Sequence, residues 1–129
     1  MYCLDSSIMV PVLRGDRDLK RKLDSIKSED VSFTTITLCE LFKGAYKSSK
    51  KEEAIRLLYE ILRNYRVLTL NIKSSEFFGA DYTELERRGM LTQILDLMIA
   101  SIAKENDLVL VTRDKKHFEN IPDLKLEEW

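Results

Sequence analysis

Histidine is almost missing from this chain of 129 residues: His117 stands alone, and Cys3 and Cys39 are the only cysteines. One copy therefore cannot assemble the four sulfur and nitrogen ligands of a closed zinc site. RNA cleavage by two imidazoles lacks its second imidazole. Two widely spaced thiols in apolar sequence are expected to be buried and reduced, not paired in a disulfide framework. With only four Gly and two Pro the chain has no linker, and 44% hydrophobic with 33% charged residues argues against disorder or a fibrous repeat. No apolar run approaches the ~20 residues that span a bilayer. Met1-Tyr2-Cys3-Leu4-Asp5 lacks the basic start and long apolar stretch of a signal peptide, so a cytoplasmic protein with no membrane association is expected. A net charge of −1 removes the overall basicity that advertises nucleic-acid binding and leaves only a local basic patch open.

The length fits one domain, 1–129, with one ordinary core. Tyr2–Leu4 reads as a short buried strand and Ser6–Leu13 as a helical turn ending near Gly15. Asp16–Lys27 spaces Leu19, Leu23 and Ile26 as an amphipathic surface helix. Val31–Thr35 alternates as a second strand, and Thr37 is placed to cap a helix running to Tyr46. A helix over Lys50–Asn64, a strand over Val67–Leu70 and a long helix over Ser74–Arg88 with Gly89 as its C-cap follow. Ile94–Ala103 is apolar almost all round, which marks a buried helix. Leu108–Thr112 is the most strand-like run, and Leu124–Glu127 is a short final strand. Strands alternating with helices predict an α/β fold, a three-layer sandwich over a mainly parallel sheet.

Four acids interrupt this apolar pattern: Asp5, Glu40, Asp96 and Asp114. Carboxylates drawn together in a low-dielectric site either take up protons or bind a cation. Asp5 and Asp114 follow strands, where parallel α/β sheets bind ligands. Each also has a local explanation, Asp5 as an N-cap and Asp114 as an Asx turn. Thr37-Leu38-Cys39-Glu40 fits a capping box, which accounts for Glu40 on local grounds. Asp96 is harder to explain away: a bare carboxylate in an apolar helix needs a buried Lys or Arg, or a metal. His117 is expected on the surface, and the basic residues from Lys43 to Lys51, Arg87, Arg88 and Arg113 to Lys116 read as solvated faces. The stripe Leu57, Leu58, Ile61 and Leu62 reads as core.

These residues resemble the PIN-domain family, and within it the VapC-type toxins of prokaryotic toxin-antitoxin pairs. Tyr2-Cys3-Leu4-Asp5-Ser6-Ser7-Ile8 is similar to the family's opening strand and turn. Thr35-Ile36-Thr37-Leu38-Cys39-Glu40-Leu41 is similar to its Thr-x-x-Glu-Leu helix start, and Asp96 to Ser101 to its Asp-x-x-Ile-Ala block. Leu110 to Phe118 and Leu124 to Trp129 resemble its closing segments. The chain departs from the pattern at Gln93-Ile94, where many relatives carry a further acid, at Asp114, often Asn, and at Ser7, often Asn.

The resemblance implies a PIN-like fold and a metal-dependent ribonuclease whose catalytic residues are Asp5, Glu40, Asp96 and Asp114. It also implies tRNA or rRNA loops as substrate, a homodimer, and a small VapB-type antitoxin as partner. Ligands that are all oxygen favour Mg²⁺ or Mn²⁺, held by Asp5, Asp96 and Asp114, with Glu40 orienting or deprotonating water. A silent PIN-fold protein whose acidic groove only binds a basic peptide is the alternative. A haloacid-dehalogenase-type phosphatase would need an Asp where Ser7 stands. A receiver domain would need an acceptor Asp after Val67–Leu70, where Asn71-Ile72-Lys73 follows.

Overall fold

A computed structural model describes residues 1–129. The elements run β1 (Tyr2–Leu4), α1 (Ser6–Leu13), α2 (Arg17–Asp24), β2 (Val31–Thr34), α3 (Thr35–Lys47), α4 (Lys51–Leu62) and β3 (Arg66–Leu68). They continue through α5 (Ile72–Arg87), α6 (Ile94–Glu105), β4 (Val109–Thr112) and β5 (Leu126–Glu128). The five strands form one sheet in the order β3-β2-β1-β4-β5, and every pairing is parallel. Parallel neighbours require crossovers, and the helices supply them.

Side chains alternate across a strand, so adjacent residues feed opposite layers. In β1, Cys3 joins an apolar cluster with Leu85, Leu97, Ile99 and Ile102 from α5 and α6, whereas Leu4 joins Ile8, Met9, Leu41 and Leu58 from α1, α3 and α4. In β4, Leu110 and Val111 divide the same way, and both are fully buried. The sheet is thus the middle of three layers, and the alternation of β1 and β4 builds both cores. Each fully buried Leu or Val stabilises the fold by about 1.5–3 kcal/mol relative to exposure. No helix is long and apolar enough to cross a membrane.

The main differences from the sequence reading lie at helix starts. α3 begins three residues earlier than expected: Thr34 is its N-cap, with Thr34 Oγ1 accepting from the Thr37 amide at 3.0 Å. Thr37 is therefore the third helical residue, and Glu40 lies almost a full turn beyond the position from which a glutamate reaches an N-cap amide. The chain's capping box is elsewhere, between Asn71 and Ser74 at the start of α5. β3 occupies Arg66–Leu68 and not Val67–Leu70, and β5 is shifted to Leu126–Glu128. α6 is buried at Asp96, Leu97 and from Ile99 to Ala103, but Ile94 and Leu95 in its first turn are exposed, so it is not apolar-packed along its whole length. In α4 only Leu58 of the leucine-isoleucine stripe is fully buried, and Leu57 is exposed. Cys3 is buried as expected and Cys39 is exposed; both are free thiols.

Candidate active site

In the sheet order, β2 and β3 extend to one side of β1 while β4 and β5 extend to the other. The two directions of winding part between β1 and β4, and the carboxyl ends of those strands leave a crevice there. Asp5 leaves β1 at this point, with its backbone N–H donating to the Val111 carbonyl at 3.0 Å. It occupies the N-cap position of α1 but makes no capping bond with its side chain. Asp5 Oδ2 instead accepts hydrogen bonds from Ser7 Oγ at 2.8 Å and from Thr112 Oγ1 at 3.0 Å.

Those two hydroxyls are themselves fixed by the backbone after β4. The Arg113 amide donates to Ser7 Oγ at 2.9 Å, and the Asp114 amide to Thr112 Oγ1 at 2.9 Å. A hydroxyl that accepts from an amide has its single proton left for the carboxylate. Asp5 is thereby held at one oxygen by the first turn of α1 and the end of β4. The turn after β4 is closed by Thr112 Oγ1, which replaces the Asx turn expected of Asp114.

Asp96 enters from the first turn of α6 and is buried. Burial, together with the negative charges of Asp5 and Glu40, pushes its pKa up to about 6, opposed by the neighbouring His117. Coulombic coupling of this kind places the Asp5, Glu40 and Asp96 carboxylates in one field. Glu40 Oε2 and Asp96 Oδ2 are the only buried side-chain polar atoms in the protein without a hydrogen-bond partner. Both have lost water without gaining a directed hydrogen bond, which is costly unless something else binds there.

Asp114 is placed differently. It is exposed, its side chain caps nothing, and it lines a shallow depression with Arg113, Lys115, Lys116, His117, Glu119 and Glu128. Asp5 and Glu40 lie near enough to Asp96 for their charges to act on it, and Asp114 stands apart from them as an exposed residue.

His117, expected to be an ordinary surface residue, is half-exposed, yet its Nδ1 lies 3.2 Å from Asp96 Oδ2. The approach is close but poorly aligned, so that oxygen remains without a directed hydrogen bond. Ser7 and Thr112 also belong to the site, and the sequence does not mark them as site residues. Ser7 is legible as a turn residue, but its approach to Thr112 Oγ1, at 3.1 Å, spans 105 positions and no local pattern announces it.

Whether the residues fit a cation follows from the donor set. All candidate ligands are carboxylate oxygens, two of them orphaned, and no three acidic, histidine or cysteine side chains approach closely enough to enclose an ion. An open set of this kind does not suit zinc, which takes four tight ligands. It suits a hard divalent ion that keeps several waters. Cys3, next to Asp5 in sequence, offers no thiolate: burial, with Asp5's charge adding to it, pushes its pKa up to about 12.

The PIN domain family matches residues 2–124. Ribonuclease VapC2 of Rickettsia felis is 34% identical over 131 residues, which cover 100% of this chain and 98% of that protein. The tRNA(fMet)-specific endonuclease VapC of Salmonella typhimurium is 27% identical over 99% of this chain and 97% of its own. Among solved structures, VapBC2 from Rickettsia felis bound to a DNA fragment from its promoter matches with a TM-score of 0.92 at 32% identity, over 99% of this chain and 98% of that one. FitAcB from Neisseria gonorrhoeae matches with a TM-score of 0.87 at 27% identity, over 98% and 96% of the two chains. With its parallel sheet, its acids at the strand ends and relatives matched along their whole length, the chain belongs to the PIN-domain family, in its VapC branch.

Proposed function

We propose that this protein is an endoribonuclease that hydrolyses RNA phosphodiester bonds with the help of Mg²⁺ or Mn²⁺, and that it is the toxin of a toxin-antitoxin pair. The observation that carries this reading is the pair of buried, unpartnered oxygens, Glu40 Oε2 and Asp96 Oδ2, in the field of Asp5. The ribonuclease and endonuclease names of the relatives support the reaction, and the VapBC complexes among the structural neighbours support an antitoxin partner. A tRNA or rRNA loop is the substrate class we favour, with a homodimer as the assembly and the cytoplasm as the location.

Asp5 and Asp96 would hold the cation, with Asp114 assisting from the rim through water. A bound divalent ion would polarise the phosphate and stabilise the charge that develops on it. The protein's own part is positional. Ser7 and Thr112 fix one oxygen of Asp5, so its other oxygen addresses the crevice without reorganisation at each turnover. Glu40, dry and lacking a donor, is suited to accept a proton from the attacking water. Attack at phosphorus forms the new P–O bond and breaks the bond to the 3′ oxygen, which takes a proton from solvent. The products are a 5′-phosphate and a 3′-hydroxyl.

The test is cleavage of structured RNA by the free protein in Mg²⁺ or Mn²⁺. Asp96→Asn is expected to lower the rate by at least about a hundredfold, and excess EDTA to abolish it. Equal cleavage by the variant, or by wild type in EDTA, would sink the reading.

A further inference from the structure

Beside the carboxylates lies a cavity of about 260 Å³, between the α5–α6 connection and the short turn that follows β4. We infer that this cavity is a nucleobase subsite that receives the unpaired base of the nucleotide flanking the scissile bond; the inference rests on the nuclease reading above. Its floor is apolar, formed by Leu85 and Ile121, with Met90 and Leu91 exposed at its side. Its polar lining is Thr92, Lys116 and His117 with the exposed amide residues Gln93 and Asn120.

Size limits the occupant. The volume lies just below the roughly 300–1,000 Å³ of pockets for drug-sized ligands, so it takes one base and not a base pair. Chemistry limits it further. Sequence-selective RNA recognition splays a base from a single-stranded loop, covers its face with a flat or soft side chain, and reads its edge by hydrogen bonds. Met90 and Leu91 offer the covering surface. The two amides each offer both a donor and an acceptor, which a base edge can use and an aliphatic side chain cannot. Gln93 is the N-cap residue of α6, yet its side chain makes no capping bond, so the amide is not engaged in holding the helix.

Continuity with the reaction centre sets the position of the occupant. His117 is shared: it lines the cavity and its Nδ1 lies 3.2 Å from Asp96 Oδ2. Gln93 precedes Asp96 by three residues at the start of one helix, a rise of about 5 Å. A nucleotide bridges that distance between its base and its own phosphate. The two walls are tied by Thr92 Oγ1 donating to the His117 carbonyl at 2.7 Å. Lys115 and Lys116 lie on the same turn, among Asp114, Glu119 and Glu128, and their ammonium groups offset part of the negative charge that a phosphodiester would meet there.

Two measurements test this. In the first, the amide resonances of the protein in EDTA are followed by NMR during titration with each of the four nucleoside 5′-monophosphates. Saturable shifts confined to Thr92, Gln93, His117, Asn120 and Ile121, with one base binding more tightly than the others, are expected. Gln93→Ala and Asn120→Ala should each reduce that preference about tenfold, the value of one good pair of edge hydrogen bonds. Equal, non-saturating shifts for all four nucleotides, or shifts centred elsewhere, would overturn the subsite. In the second, a stem-loop RNA library with a randomised loop is cut in Mn²⁺ and the new 5′ ends are sequenced. Wild type should show a base preference next to the cut that both variants flatten; a preference unchanged in both variants overturns the subsite while leaving the nuclease reading intact. If wild type cuts nothing in the library, the nuclease reading falls, and the titration still decides whether the cavity binds a base.

Discussion

Two buried aspartates lie against α6, and the protein treats them in opposite ways. Asp81, projecting from α5, meets Lys104 from the last turn of α6, with Nζ at 3.0 and 2.7 Å from its two oxygens; both side chains are over nine-tenths buried. The ammonium also lies 5.2 Å from the centre of the Phe77 ring. Asp96, at the other end of the same helix, meets two more carboxylates and a misaligned imidazole. The first arrangement is complete within the protein and ties α5 to α6. The second is complete only with something added. A paired buried acid is structure; an unpaired buried acid among other acids is where the proposed cation would find its charge complement.

Breaking the complete pair should have the largest effect. Lys104→Ala leaves Asp81 buried without compensation, and the free energy of unfolding in urea is expected to fall by about 3–5 kcal/mol. The double replacement Asp81→Leu with Lys104→Met should recover most of that loss. If it is no more stable than the single variant, the pair is more than a tie between helices.

Loosening the incomplete site from behind comes next. Thr112→Val or Ser7→Ala removes one of the two hydroxyls that fix Asp5, and the affinity for Mn²⁺, read by calorimetry, is expected to drop about 10–100-fold. Unaltered affinity would mean that Asp5 needs no positioning.

A smaller effect of opposite sign is expected in stability. The raised pKa of Asp96 means that between about 3.8 and about 6 the unfolded chain loses the proton while the folded chain keeps it. Folding is therefore penalised progressively across that window. The penalty is complete above about 6 and absent below about 3.8. Asp96→Asn in EDTA should be more stable than wild type at pH 7–8, by on the order of 1–2 kcal/mol after allowance for solvent screening. The advantage should vanish as the pH falls toward 4, and saturating Mn²⁺ should stabilise wild type and not the variant. A variant less stable than wild type at neutral pH would show that Asp96 is paired after all. The smallest effect is reserved for Asp114→Asn, because an amide at the rim still contacts water: a change of about threefold or less in cleavage rate is expected.

Much of this molecule could be read along the chain. The order of strands and helices, and the buried character of Asp96, follow from patterns within a few residues: hydrophobic period, turn residues, one charge in an apolar helix. Glu40 shows where such reading misleads. Its spacing from Thr37 imitates a capping box, and only the location of the true cap at Thr34 frees the carboxylate for the crevice. His117 shows the reverse. Without a second histidine it reads as a surface residue, and the turn after β4 carries it to Asp96 across 21 positions of sequence.

By itself the sequence determined the alternation that makes a parallel α/β sheet, and the placement of acids where burial makes a carboxylate expensive. Both are local, because hydrophobic period and desolvation act on a residue and its near neighbours. Only the tertiary structure decided that Asp5, Glu40 and Asp96 share one field while Asp114 stays at the rim, that Asp81 is neutralised and Asp96 is not, and that Gln93 and Asn120 face one cavity. Those outcomes depend on which strand ends meet at β1 and β4, and electrostatic energy is set by distances in space that sequence separation does not encode.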